Sequence, residues 1–385
     1  MRPRSPFGRL IDALSSLELA IACLALLMIL VVVCTLAQVQ LGTHLAVERY
    51  IRASLVWWSP EGSAWRVPVF PGGGLVGGIL LLNLIFAQFR RLEWSWRKGG
   101  MWIVHIGLAL LFIGEFATSF LQVESMMAIE EGQTRGYSED TRRMEVAVAD
   151  ETDAAFDDVR AVPDSLLKSR REIVHPGLPF KLIVRDYHDN AALTMRVPSD
   201  APSVVTAGVG GNITVRPLHP VTSDDEQNTA AAIVEPVLKD GSSLGVYLLS
   251  NGLGAPQGFT HEGRRWTMSL RARRYQHPFS LTLKDFRHDL YPGTDIPKNF
   301  SSLVRLVDPL AGDDRDVLIY MNSPLRHGGL TFYQASFGKD DTLSVLQVVN
   351  NPSWTLPYLS CLLVSLGLLW HFGAMLRKTV GSKPA

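Results

Sequence analysis

The sequence predicts a membrane protein of four transmembrane α-helices with a large extracytoplasmic all-β domain, a sandwich or open barrel, inserted between helices 3 and 4. Four long apolar runs carry the first half of this reading. The second half rests on the stretch between the last two runs, which is polar, charged and rich in Gly, Pro and β-branched residues. A third observation, the placing of the basic residues, orients the chain.

A helix rises about 1.5 Å per residue, so crossing the hydrocarbon takes about 20 apolar residues. Residues 17–38 satisfy this, with Glu18 as a charge near the start. Residues 75–89 form a shorter run, led in from 67–70 through Pro71-Gly72-Gly73-Gly74, with Asn83 as its strongly polar interior residue. Residues 102–120 and 356–376 complete the set. The expected domains are three helices within 1–123, with an outer loop at 39–70, then a β-rich domain over 124–353, then the fourth helix and a tail within 354–385.

Basic residues flanking spans stay cytoplasmic. Arg2, Arg4 and Arg9 precede the first run; Arg90, Arg91, Arg97 and Lys98 join the second to the third; Arg377, Lys378 and Lys383 follow the fourth. All three clusters fall on one side, so both termini are expected to be cytoplasmic and the large segment outside. The first run is too long for the apolar core of a cleaved signal peptide. Trp94, Trp96 and Trp102 bracket the basic loop, and Trp57, Trp58 and Trp65 occupy the opposite side, as aromatic anchors do at headgroup layers.

Lysine plus arginine total 37 and aspartate plus glutamate 37, so net charge argues for no nucleic-acid partner. Cys23, Cys34 and Cys361 all lie inside apolar runs, which excludes a disulfide framework in the polar segment. There is no C-x-x-C, Walker loop or His-Glu-x-x-His, so catalysis by this chain alone has little support.

Within the polar segment, strands are expected at 145–149, 180–187, 212–216, 243–249, 279–286, 302–307, 317–320, 330–333 and 343–349. The string at 179–187 (PFKLIVRDY) is echoed at 278–286 (PFSLTLKDF): Pro-Phe, an alternating strand, then basic-Asp-aromatic. Two related β-halves and a common way of ending a strand explain it equally simply. Residues 150–171 are expected to form a loop or short helix, 222–228 a solvated turn, and 308–316 a hairpin connection. Asp313, Asp314 and Asp316 lack the spacing of a calcium loop and read as that turn.

His105 stands out, because a polar group inside an apolar helix is costly and faces the bundle interior. A neutral imidazole there can ligate a haem iron or bond a neighbouring helix. His371 lies at matching depth in the fourth helix, either as a second ligand opposite His105 or as an interface residue. Glu115 lies nearer the outer face, where a proton path, a hydrogen bond to Asn83 and snorkelling to the interface are the readings. His44 is a candidate ligand in the first outer loop.

The layout resembles the ResB-type family, the B component of the system II machinery that exports haem and attaches it to cytochromes c. The specific strings are Tyr291-Pro292-Gly293-Thr294-Asp295-Ile296-Pro297-Lys298-Asn299-Phe300-Ser301-Ser302 and Met321-Asn322-Ser323-Pro324-Leu325-Arg326-His327-Gly328-Gly329-Leu330-Thr331-Phe332-Tyr333-Gln334-Ala335-Ser336. Physically the second is a turn feeding a strand, with Phe332 packing inward, Tyr333 and Gln334 presenting polar tips, and His327 in the turn. The resemblance implies an inner-membrane haem-delivery subunit with a periplasmic domain, His105 as an axial ligand to haem b in transit, and two partners, an A-type haem-handling membrane subunit and apocytochrome c. The rival is a membrane-anchored scaffold whose β domain binds proteins and whose helices bind no cofactor.

Overall fold

A computed structural model describes residues 6–60, 65–197, 201–221, 227–294, 297–338 and 341–381. Arg2, Arg4, Lys383, Asp295, Ile296 and most of the expected turn at 222–228 lie outside the described residues. Two compact units are present, one of residues 1–123 with 350–385, the other of 124–221 with 226–349.

The chain opens with α1 (Pro6–Leu14) and α2 (Leu17–Ala46), the latter running on into a π-helical turn, Val47–Arg52. A hairpin of β1 (Leu55–Trp58) and β2 (Val67–Pro71) follows, then α3 (Gly73–Arg91) and α4 (Gly99–Leu121). The next elements are β3 (Val123–Glu130), β4 (Thr134–Asp150), β5 (Asp158–Pro163), α5 (Asp164–Ser169), β6 (Glu172–Ile173), β7 (Phe180–His188), β8 (Ala191–Met195) and β9 (Ile213–Pro217). After them come β10 (Ala231–Leu238), β11 (Tyr247–Ser250), β12 (Gln257–His261), β13 (Arg264–Leu290), β14 (Pro297–Asp308), β15 (Asp313–Tyr320), β16 (Leu325–His327), β17 (Leu330–Gly338) and β18 (Leu343–Asn350). The final element is α6 (Leu356–Gly381). Four stretches, Leu17–Arg52, Gly73–Arg91, Trp96–Leu121 and Leu356–Thr379, are long and apolar enough to cross a membrane.

Residues 39–52, expected in an outer loop, are instead helical. The polar residues after Ala37 end the apolar run but do not end the helix, because helix propensity does not depend on hydrophobicity. The break falls at Gly42, whose φ of 73° suits a residue without Cβ. Asn83 is explained by the other end of α2: its amide donates to the carbonyls of Leu14 (2.7 Å) and Ser16 (2.8 Å), occupying acceptors left where α1 stops. Ser16 in turn caps α2, accepting from the Leu19 amide at 3.1 Å.

α4 and α6 pack antiparallel with almost nothing between their backbones. Gly100, Gly107 and Gly114 recur every seven residues on one face of α4. A Cβ on Gly100 would lie 2.6 Å from the Gly367 carbonyl, and one on Gly107 2.8 Å from Val364 Cγ2. The Ser360 hydroxyl donates to the Gly107 carbonyl across the seam. Small residues allow this close approach.

In the β unit a ten-stranded sheet runs β15-β14-β13-β4-β3-β18-β17-β16, with β12 on β13 and β5 on β4, beside a four-stranded sheet β11-β10-β7-β6. Two cores result. The first lies between the sheets, where Phe180, Leu182 and Val184 of β7 meet Val146 and Val148 of β4 and Trp266, Met268 and Leu270 of β13. This is a sandwich. The second, including Ile129, Leu281, Leu283, Leu306, Phe332 and Leu346, draws every member from the ten-stranded sheet, which curls round its own interior as an open barrel does.

Each of the nine expected strands overlaps a strand of the structure, although of 243–249 only residues 247–249 belong to β11 and β9 begins at Ile213 rather than 212. Residues 150–171, expected as loop or short helix, also contain β5, which pairs with β4 from Glu145 to Asp150. The sequence echo has a structural counterpart: β7 puts Phe180, Leu182 and Val184 into the first core, and β13 puts Phe279, Leu281 and Leu283 into the second. Each strand then slips register at its basic residue, Arg185 against β10 and Lys284 against β14. Both cations are paired, Arg185 with Glu235 and Lys284 with Asp316.

Phe332, fully buried at the centre of the second core, tests it directly. Phe332→Ala is expected to cost about 3–5 kcal/mol, read as a shift in the denaturant midpoint.

Candidate functional site

His105 is half-buried on α4, and its Nδ1 lies 2.8 Å from the Met101 carbonyl one turn earlier. A carbonyl only accepts, so Nδ1 carries the proton and Nε2 keeps its lone pair. That is the tautomer an imidazole needs to bind a metal through Nε2.

The spacing Trp102, His105, Phe112, Phe116 places His105 on the face of α4 turned to α3. Trp102 meets Phe89 edge-on at 5.8 Å, Phe112 packs against the cluster that includes Val76 and Leu80 of α3, and Phe116 lies 3.5 Å from a Cβ built on Gly77. Gln88, buried in the same seam, donates to the Trp102 carbonyl at 3.3 Å, while its Oε1 has no hydrogen-bond partner. The sequence reading missed Gln88, since a glutamine near the end of an apolar run looks like a boundary residue.

His371 is not brought to His105. Its backbone nitrogen lies 2.6 Å from a Cβ built on Gly100, which sets it beside the glycine face of α4. Gly100 precedes His105 by five residues, about 7.5 Å of helix rise, and faces another way. The His371 ring packs edge-on to Phe372 at 5.6 Å. Glu115 is exposed and does not meet Asn83, whose amide is committed to Leu14 and Ser16. His44 is exposed on the second part of α2, not in a loop. The tryptophans flanking the basic loop pair up: Trp94 on Trp102 at 4.9 Å and Trp96 on Trp370 at 5.0 Å.

In the β unit, His327 does more than turn the chain. Its Nε2 lies 2.8 Å from Asp308 Oδ2, and its ring stands edge-on to Phe279 at 4.8 Å, tying the β14–β15 turn to β16. Asp313, Asp314 and Asp316 are drawn to Arg315, Arg305 and Lys284, and no metal-binding group of three or more such ligands occurs among the described residues.

The two strings quoted above converge. Ser302 donates to Gln334 Oε1 at 2.6 Å and lies 2.7 Å from the Ser344 hydroxyl, joining β14, β17 and β18 in one buried knot. Gln334, expected as a polar tip, is thus an internal tie. Beside it His288 is stacked on Phe300 (4.7 Å) and tilted against Phe337 (4.6 Å), with Nδ1 3.2 Å from the Asp341 carboxylate. Its Nε2 is buried without a hydrogen-bond partner. The alternation at 279–286 could have flagged this ring only if the strand had been carried past Phe286.

Helices fit to cross a membrane, a histidine on one of them whose Nδ1 is engaged by its own helix, and a large β-sheet-rich unit define the class. Residues 257–351 match the ResB-like family, a segment that covers β12–β18 and contains both strings. Protein NrfI of Wolinella succinogenes is 39% identical over 94 residues, which are 24% of this chain and 10% of that protein. The chain thus matches about a tenth of that relative's length, and over the matched segment it is ResB-like, as the strings imply.

The Asp308 carboxyl is held below its usual range, chiefly by the Ala311 amide, then by His327 and the Leu310 amide. A lowered carboxylate contributes stability above the ordinary value of about 3.9, and this is lost as pH falls through the lowered value. The thermal midpoint of the wild type should therefore exceed that of Asp308→Ala near neutrality, with the gap closing only below about pH 4. For His288→Phe, replacing a half-satisfied ring by an apolar one of similar shape should change stability by less than about 1 kcal/mol. A loss above about 2 kcal/mol in thermal unfolding would mean that Nε2 is satisfied in the folded chain.

Proposed function

We propose that this protein is a haem-delivery and assembly subunit for cytochrome c maturation. A ResB-like segment implies a role in cytochrome c biogenesis. The finer reading is that the four helices span the inner membrane with both termini cytoplasmic and the β unit outside, and that an A-type membrane partner and apocytochrome c complete the assembly.

The observation that carries this is His105, a histidine on an apolar helix whose Nδ1 is engaged by Met101 and whose Nε2 is left to bind. Haem in transit is cargo here. His105 would hold its iron by one axial bond, the second being supplied by the partner. Trp102, Phe112 and Phe116 on the same face line it with apolar surface. Thioether formation draws on the haem vinyls and the thiols of the cytochrome, and no residue of this chain is needed as nucleophile.

The test is the visible spectrum of the chain co-purified with its A-type partner. A bis-histidine spectrum should be lost in His105→Ala and return with added imidazole. An unchanged spectrum, or one free of haem in both proteins, would leave His105 as a packing residue and favour the scaffold.

A further inference from the structure

Between α2, the π-helical turn Val47–Arg52 and the β1–β2 hairpin lies a cleft of about 270 Å³, walled by Leu30, Val33, Tyr50, Trp57 and Phe70. Arg49 is the one charged residue lining it. Its Nη2 donates to the Trp57 carbonyl at 3.1 Å, which fixes the guanidinium against the hairpin and leaves its other donors unused. The flanking charges cancel, since Glu48 and Arg52 form an ion pair at 2.6 Å. Among the described residues Arg49 has no carboxylate partner. An apolar cleft thus carries a single unneutralised cation, complementary to an anion with an apolar body.

Size narrows the class. Sites that enclose a whole drug-sized molecule run from about 300 to 1,000 Å³, so this one suits a chain-like body better than a macrocycle. Ile29 and Val33, exposed on the flank of α2, open the cleft sideways along a helix apolar enough to meet acyl chains.

The geometry points to a binding site for one anionic phospholipid, its acyl chain along Leu30, Val33 and Phe70 and its phosphate on Arg49. This inference rests on α2 spanning a membrane and is independent of haem. Its test therefore has no cytochrome readout. The full chain in detergent is exchanged against equal parts phosphatidylglycerol and phosphatidylcholine, and retained lipid is counted by native mass spectrometry.

The wild type should keep one phosphatidylglycerol per chain in preference to phosphatidylcholine. Arg49→Gln should lower that preference about tenfold, the scale of one hydrogen bond to a charged group, and Arg97→Gln should leave it intact. Equal thermal midpoints would show that Arg49→Gln remains folded. Equal retention of both lipids by the wild type, or an undiminished preference in Arg49→Gln, would overturn the site. Displacement of the lipid mole for mole by haemin would overturn the choice of occupant in favour of a tetrapyrrole carboxylate.

Discussion

The pairing of β4 with β13 is the constraint on which both cores of the β unit depend. One end of this ribbon, from Glu145 to Asp150 against Arg271 to Trp266, faces the first core, while the other end, beyond Gln276, enters the second. The ribbon slips register between Ala272 and Arg274, where Asp140 to Arg143 leave the ladder and Asp140 accepts the amides of Arg142 and Arg143. Ion pairs mark its length, Arg264 to Asp150, Arg271 to Glu145 and Arg274 to Glu139. The largely exposed Arg264 contributes little energy through its pair, whereas the buried Glu145 carboxylate depends on Arg271 beside it. The use of the pairs is to make the intended register better than its neighbours.

Much of this architecture was legible because hydrophobicity reports environment directly. Runs of about 20 apolar residues mark helices fit for a bilayer, and alternation with period 2 marks half-buried strands. Much of what escaped was carried by polar residues, such as the second part of α2, whose residues are helical but not apolar, and β5, hidden among charges; α1 was too short to register as a run, and the apolar β10 was also not among the expected strands. For β5 the backbone hydrogen bonds are satisfied by β4, a neighbour that a linear pattern does not reveal.

Legibility of the site divides in the same way. His105 was visible because an imidazole inside an apolar helix is costly, and geometry then added what sequence lacks, the hydrogen bond that selects its tautomer. His371 was equally visible yet stands elsewhere, since depth along a helix says nothing about azimuth against a neighbour. Gln334, Gln88 and His288 were not legible as partners, because Ser302, Trp102 and Asp341 come from distant parts of the chain.

The slips at Arg185 and Lys284 alter the phase of their strands. In β13 buried residues fall at 279, 281 and 283 and then at 286, so the alternation changes from odd to even across the bulge. In β7 they fall at 180, 182 and 184, and Tyr187 then packs on the same core. The aromatic that ends each echo points inward only because one extra residue precedes it. Position 185 or 284 is therefore a spacer whose presence matters more than its identity: another side chain would leave the phase intact, whereas a deletion would turn every later residue of the strand to the opposite face.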